Sequence, residues 1–386
     1  MNPGRRVRGV MHKVETQSAG LYVHIPFCRM KCPYCDFYSI PSTSLTTEWL
    51  RVLDKEAALY ADRFSPFDTL YLGGGTPSLL TEKELRRLME SLCGRFGFAR
   101  DAEVSLEANP DDITEGKLHA YKELGFNRIS LGVQSMNDGD LKFLGRRHTA
   151  RGAARAMDLI RNSGNFRLGI DLIYALPGQT ETGWKGTLRK ALAFSPDHVS
   201  CYQLTISTGT RLWEMQEGGL ISLLDEERER SLFLATSQIL EGQGFAHYEV
   251  SNYARSGINR NACRHNLKYW DRIPYLGLGP SAHSFQGNLR WWNHRSVSQY
   301  CQDLDRGRRP IQGSERLSEE QAALERLSLR LRTRVGISIE ELQDYEDSER
   351  ILPELLRAGY LEVIDERAVP TREGFLVADR LPLLLL

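Results

Sequence analysis

The chain has 386 residues, 41% of them hydrophobic, with fifty basic residues balanced by fifty acidic ones. That composition suits a soluble globular protein with a real core, and the length suggests two or three domains, although one (β/α) barrel can absorb about 250 residues. The balanced charge gives no basic excess of the kind a nucleic-acid binder shows, and no run of about eighteen apolar residues occurs, so no membrane span is expected.

The first residues, MNPGRRVRGVMHK, are basic but lack the apolar stretch of a secretory signal. Residues 1–20 are expected to form a disordered tail, with Met11 an alternative start and an organelle-targeting remnant the lesser reading. LYVHI (21–25) reads as the first strand, and a helical pattern follows at about 45–61. DTLYLGGG (68–75) reads as a strand and a glycine turn. The next helix starts at Thr81, with Glu84 completing a capping box. EVSLEANP (103–110), RISLGVQS (128–135), FRLGIDLIYALPG (166–178) and HVSCYQLT (198–205) continue the strands. Amphipathic helices are expected between them, near 114–124, 150–163 and 180–194. Six strands alternating with helices predict an α/β fold with a parallel sheet. Glu107, Gln134 and Asp171 stand at strand ends, three cysteines follow the first strand, and Gly73–Gly75 follow the second. Candidates on nearly every strand suit a partial barrel, whose chemistry collects at the carboxyl ends, better than a doubly wound sheet with one switch point.

Past residue 245 the texture changes. FAHYEVSNYA reads as one strand, and HNLKYWDRIPYLGLGPSAHSF (265–285) is rich in aromatics, Gly and Pro. From about 315 the chain is charged and helical, then ends in short strand-like pieces and LPLLLL, which is expected to dock on the last domain. The expected organisation is a core at 21–245, a connecting segment at 246–314, and a small helical domain at 315–386 with winged-helix character, read as a structural cap.

The seven cysteines are odd in number and not spaced as a secreted disulfide framework, which suits a reducing cytoplasm. Cys28, Cys32 and Cys35 form a C-x3-C-x2-C pattern. A structural zinc ion wants four ligands, and only one C-x2-C pair occurs here, with His24 as a conceivable fourth. A thioredoxin-like pair has no need of Cys28. Three thiolates on a four-iron cluster leave one iron open to a substrate or cofactor. The spacing favours that open cluster, with zinc and inert cysteines as alternatives. GGGTP taken alone is a turn before a helix and lacks the ending of a phosphate loop.

Taken together, C-x3-C-x2-C after YVHIPF and GGGTP after the second strand resemble the radical S-adenosylmethionine superfamily. More narrowly they resemble its group of oxygen-independent coproporphyrinogen III dehydrogenases and their relatives, from Tyr22 to the C-terminal domain. The resemblance implies a partial (β/α)6 TIM-like barrel and a [4Fe–4S] cluster on Cys28, Cys32 and Cys35. It also implies S-adenosylmethionine chelated to the open iron and cleaved to a 5′-deoxyadenosyl radical. Tyr22 and Tyr34 would lie beside this cofactor, and Gly74, Gly75 and Thr76 would present backbone groups to its methionine part. Glu107, Gln134, Arg146 and Asp171 would surround the sulfonium and ribose, with the choice between Arg146 and Arg147 open. Glycines allow close backbone approach, carboxylates accept from ammonium or ribose hydroxyls, and an arginine grips a carboxylate bidentately. Glu107 and Asp171 as ordinary strand-end residues are the alternative.

Two features divide the group. The dehydrogenases continue the loop with a fourth cysteine, where this chain has Phe37. HNLKYW (265–270) resembles the H-N-x-x-Y-W string of the group's heme chaperones. That resemblance implies heme binding and delivery to acceptor proteins such as respiratory hemoproteins. Decarboxylation of coproporphyrinogen III, or other radical chemistry, is the alternative, and no catalytic residue is singled out. An imidazole is a common heme ligand, and Tyr and Trp suit a flat macrocycle. No C-x-x-C-H for covalent attachment is present. His265 is the candidate heme ligand, with Cys263 and His283 as rivals. The alternative is that His265, Tyr269 and Trp270 pack the barrel rim.

Overall fold

Strands β1 (Ala19–Ile25), β2 (Phe67–Gly74), β3 (Phe98–Ala108), β4 (Arg128–Gln134), β5 (Arg167–Tyr174) and β6 (His198–Gln203) pair in parallel in that order. The computed structural model describes residues 18–64, 66–255, 261–345 and 347–385. The tail expectation for residues 1–17, and Met11 with it, lies outside them. Helices Thr46–Ala58, Glu82–Arg95, Glu115–Glu123, Ala150–Ser163 and Glu181–Leu192 connect the strands. Threonine caps start four of them: Thr81, Thr114, Thr149 and Thr180 each accept a backbone N–H of the first turn. At Thr81 the Glu84 side chain returns the bond and completes the expected capping box. Buried Leu85, Leu88, Met89 and Leu92 keep one face of their helix on the sheet.

Alternation along the strands sorts the two faces of the sheet. Leu70, Leu72, Ile129, Leu131, Ile170 and Leu172 are buried in the main core. Their neighbours Tyr71, Ser130 and Asp171 line a cavity on the opposite face. The result is an α/β fold with a partial barrel whose inner face is polar.

β3 starts at Phe98, five residues before the expected strand, and joins β2 through a register shift after the Phe67–Phe98 pair. FAHYEVSNYA forms two strands rather than one. β7 (Phe245–Glu249) and β8 (Asn252–Arg255) are antiparallel, and the Glu249 carboxylate closes the turn by accepting the Ser251 N–H at 3.1 Å. β8 then pairs antiparallel with β6. On the opposite edge β9 (Tyr275–Leu278) pairs parallel with β1, and β10 (His283–Gln286), β11 (Leu289–Asn293) and β12 (Ile311–Arg316) follow antiparallel. Residues 246–314 thus add strands to both edges of one sheet. HNLKYW lies on a helix, Arg264–Trp270.

The last segment has its own core, with Leu327, Leu331, Ile337, Leu355, Leu361 and Leu385 buried together. Its small sheet runs in the order β13 (Ile337–Ser338), β15 (Arg367–Pro370), β14 (Leu361–Ile364). The wing-like hairpin turns through Asp365 and Glu366, both at positive φ, 48° and 59°. Within LPLLLL, Leu381 and Leu385 belong to this core.

A buried carboxylate clasps the β9 edge to the first helix. Glu56 accepts from Tyr300 Oη at 2.5 Å, Asn293 Nδ2 at 2.6 Å and Gly279 N at 2.8 Å. Burial pushes its carboxyl up to about 7 despite these donors. Tyr300→Phe removes one donor from a buried acid and is expected to cost about 1.5–3 kcal/mol. Urea unfolding checks this, and an unchanged midpoint would show that the clasp adds nothing to stability.

Candidate functional site

The cysteine loop leaves the end of β1 and returns to the helix that starts at Thr46. Its backbone is pinned before any ligand is considered. Cys28 N donates to Ile40 O at 3.0 Å, and Ile40 N donates to Pro26 O at 2.8 Å. At the far end Leu212 N donates to Pro33 O at 2.9 Å. Cys28, Cys32 and Cys35 are free thiols and line one cavity of about 650 Å³. Thr76 Oγ1 lies 3.3 Å from Cys28 Sγ, and Arg146 Nη1 donates to Cys32 Sγ at 3.6 Å. Burial pushes the Cys35 thiol up to about 11, against the Phe37 N–H, which favours its thiolate. Ionised Cys32 and Cys28 raise it further. A bound metal therefore has to displace protons from this loop. His24 is not turned toward the thiols. Its Nε2 donates to Tyr38 O at 2.8 Å, so Nδ1 accepts from Tyr22 Oη at 3.1 Å, and burial lowers the ring to about 4.

The glycine turn lies directly against the loop. Gly74 has φ +105°, and a Cβ there would lie 2.7 Å from the His24 ring. A Cβ on Gly75 would lie 2.6 Å from Phe27 O. Gly75 N donates to Ile25 O at 2.8 Å and Gly74 N to Glu107 Oε2 at 3.2 Å. The end of β2 is thereby held at the cavity wall beside Cys28.

Two carboxylates face the same space from β3 and β5. Tyr71 Oη donates to Glu107 Oε1 at 2.9 Å, and Ser130 Oγ reaches Asp171 at 3.0 and 3.2 Å. Burial, and then the charge of Asp171, raises Glu107 to about 7. Burial also raises Asp171, against hydrogen bonds from Ser200 and Ser130. Gln134 ends β4 at φ +62°, a conformation unusual for a residue with a side chain. Arg146 turns inward, bonded to Asn109 Oδ1 and to Gly132 O, the latter at 3.0 Å. Its Nε is buried without a hydrogen-bond partner among the described residues. Arg147 is 45% exposed and reaches toward Asp111 at 3.9 Å, so Arg146 is the one beside Cys32. Tyr22 and Tyr34 also line the cavity.

The donor set fits the expected groups. Three free thiols beside a guanidinium suit an iron–sulfur cluster. Two destabilised carboxylates and one unpartnered guanidinium N–H suit a small ligand that carries both cationic and carboxylate groups. Residues missed from the sequence include Tyr71, Asn109, Arg128 and Ser130. Part of the signal was present, because RISLGVQS alternates Arg128, Ser130, Gly132 and Gln134 on one face.

His265 lies at the floor of the cavity, 2% exposed. Its Nδ1 pairs with Thr69 Oγ1 at 2.8 Å and its Nε2 with Tyr269 Oη at 2.9 Å. The ring stacks on Tyr71 at 5.3 Å, and burial lowers it to about 3, which keeps it neutral. Arg264 and Lys268 anchor the same helix to Asp68, at 3.2 and 2.6 Å. Both imidazole nitrogens being engaged favours the packing alternative over direct ligation. Cys263 is buried 3.7 Å from Glu103 Oε1, and its thiol is raised to about 12, first by burial and then by that carboxylate. His283 is exposed on β10 and lines a separate outer cleft.

Comparison with known proteins bears on this geometry. Residues 22–191 match the model of the radical SAM superfamily, and residues 317–377 match that of the HemN C-terminal domain. A protein of Synechocystis named heme chaperone HemW is 36% identical over 85% of this chain and 81% of its own length. The heme chaperone HemW of Mycobacterium tuberculosis is 35% identical over 94% of this chain and 93% of its own. The solved structure of coproporphyrinogen III oxidase (HemN) from Escherichia coli superposes with a TM-score of 0.80, covering 95% of this chain and 90% of that one at 24% identity. The shared fold includes the partial barrel and its C-terminal domain.

Two outcomes follow from the site. Anaerobic reconstitution with iron and sulfide is expected to load one four-iron cluster, and replacing Cys28, Cys32 and Cys35 together by Ala is expected to abolish it. An unchanged iron content in that variant would place the cluster elsewhere. His265→Ala breaks two buried hydrogen bonds and a stack, so it is expected to lower stability by about 2–3 kcal/mol. Thermal and urea melts read that loss, and a neutral result would end its role as floor packing.

Proposed function

The chain belongs to the radical SAM superfamily and, within it, to the family of the heme chaperone HemW, and from that premise we propose that it binds heme and hands it to acceptor hemoproteins. The observation that carries this reading is the likeness to HemW proteins along nearly the whole chain. Respiratory hemoproteins are the acceptors proposed. The free state of all seven cysteines supports a reducing cytoplasm as the setting. Among the described residues no helix is long and apolar enough to cross a membrane.

In this proposal Cys28, Cys32 and Cys35 hold a [4Fe–4S] cluster, and S-adenosylmethionine lies beside it. When bound, the pair supplies one-electron chemistry. Arg146 donates to the sulfur of Cys32 and offers its Nε–H to a ligand carboxylate. Glu107 and Asp171 face the cationic part of the ligand. Gly74, Gly75 and Thr76 form the shelf for its methionine end. Tyr22, Tyr34 and Gln134 complete the walls.

A second reading, decarboxylation of coproporphyrinogen III, draws on the fold shared with HemN. Phe37 weighs against it. It stands where the dehydrogenase loop has a further cysteine, and it is 68% exposed at the cavity rim. The two readings separate in one sample. The reconstituted protein is expected to bind hemin with a shifted Soret band and to leave coproporphyrinogen III unconverted when given reductant and S-adenosylmethionine. Appreciable turnover without hemin binding would reverse the assignment.

Protonation of Glu107 gives a further expectation. Its carboxyl, near 7 in the free site, must ionise to meet a cation. S-adenosylmethionine affinity is therefore expected to rise about fivefold from pH 6 to pH 7, as one proton is lost on binding. Glu107→Gln is expected to bind more weakly and without that slope. Calorimetry at both pH values checks the pair, and a slope that survives in the variant would move the titrating group elsewhere.

A further inference from the structure

A second cleft, of about 320 Å³, opens on the other side of the wall formed by Tyr22 and Tyr269. Those two rings and Phe37 line both spaces. The cleft is aromatic on its sides, where Tyr38 and Tyr275 stand, and polar at its rim. The rim carries His283 and Arg295, both exposed. His283 stacks on Trp292 with ring centroids 5.8 Å apart and planes 24° apart, so its ring orientation is fixed by an aromatic face. Arg295 donates to Asp36 O at 2.9 Å and reaches Asp36 Oδ1 only at 3.8 Å, so most of its charge faces outward. Asp36 and Phe37 directly follow Cys35, which places this rim on the cysteine loop itself.

These groups match one ligand chemistry: a flat apolar macrocycle with a central metal and acidic edges. Aromatic walls take the macrocycle faces. A neutral imidazole is a common ligand for its iron. An outward guanidinium meets a propionate. The imidazole at the cavity floor, His265, has both nitrogens engaged, whereas the exposed ring of His283 makes no side-chain hydrogen bond among the described residues. We propose that heme is carried in this outer cleft, with His283 ligating the iron and Arg295 paired to a propionate, one aromatic wall away from the cluster cavity. The proposal rests on the heme-chaperone reading and assigns the place where the cargo sits. A cleft of this size covers part of the macrocycle and leaves an edge in solvent, open to an acceptor.

The test uses the full-length, anaerobically reconstituted protein. Hemin and iron-free protoporphyrin IX are titrated against wild type, His283→Ala, Arg295→Gln and His265→Ala. His283→Ala is expected to shift the Soret band and weaken hemin by about tenfold or more, to leave protoporphyrin nearly unaffected, and to recover the band with added imidazole. Arg295→Gln is expected to weaken both ligands several-fold. S-adenosylmethionine affinity and the melting temperature are expected to be unchanged in both rim variants, which shows that the main cavity is intact. Hemin binding with an unaltered spectrum and affinity in His283→Ala overturns this site while the chaperone reading stands. A spectrum altered only in His265→Ala, at equal stability, overturns it in favour of the cavity floor. Absence of hemin binding by wild type removes the chaperone reading itself, and the site with it.

Discussion

Glu103 sits in the floor of the open barrel and joins parts of the chain that are distant in sequence. It is 1% exposed. Arg128 approaches it at 3.6 Å from β4 and Arg167 at 3.5 Å from β5. The backbone N–H of His265 donates to it at 3.3 Å from the helix beneath. Arg128 carries the link onward by donating to Asn261 O at 3.0 Å. A buried carboxylate shared by two guanidinium groups and an amide is costly to break, because any partner removed leaves an uncompensated charge. Six parallel strands that do not close into a ring need such a tie. Here it fixes three strands and the helix that stoppers the barrel, and so sets the depth of the cavity above.

Above that floor the lumen changes character along the strand direction. Low down, the charges are neutralised in pairs. Higher up, Glu107 and Asp171 are bonded only to hydroxyl and amide donors, and their carboxyls resist ionisation. At the rim lie the thiols, with the Arg146 guanidinium 3.6 Å from Cys32 Sγ. The gradient separates what holds the fold from what meets a ligand. Stability is concentrated at the amino ends of the strands and unsatisfied electrostatics at their carboxyl ends, as in closed barrels of the same class.

Much of this was legible in the sequence, and the unread part has a common cause. The strand and helix rhythm and the Thr81 cap are local, and they are where expected. So are the cavity positions of Glu107, Gln134 and Asp171, because strand alternation fixes which side chains share a face. The role of His265 is not local. Its partner Thr69 is 196 residues away, and only the packing of its helix against β2 brings the two together. The same holds for β7 and β8. Their turn is a hydrogen bond from Ser251 to a carboxylate buried under the last domain, while FAHYEVSNYA alone carries no Gly or Pro to mark a break. The outer cleft was least visible of all, since His283, Arg295 and the cysteine loop meet only after β9 adds to the edge of β1.

The cysteine loop is bolted at both ends by backbone hydrogen bonds, to Ile40 and Pro26 on one side and through Pro33 to Leu212 on the other. None of these bonds involves a thiol. The loop is therefore held in shape by the barrel, and a metal bound there would find little chain entropy left to remove. That arrangement bears on damage and repair. If the proposed cluster were lost, these backbone bonds would remain, so the emptied loop would keep the shape that refilling needs.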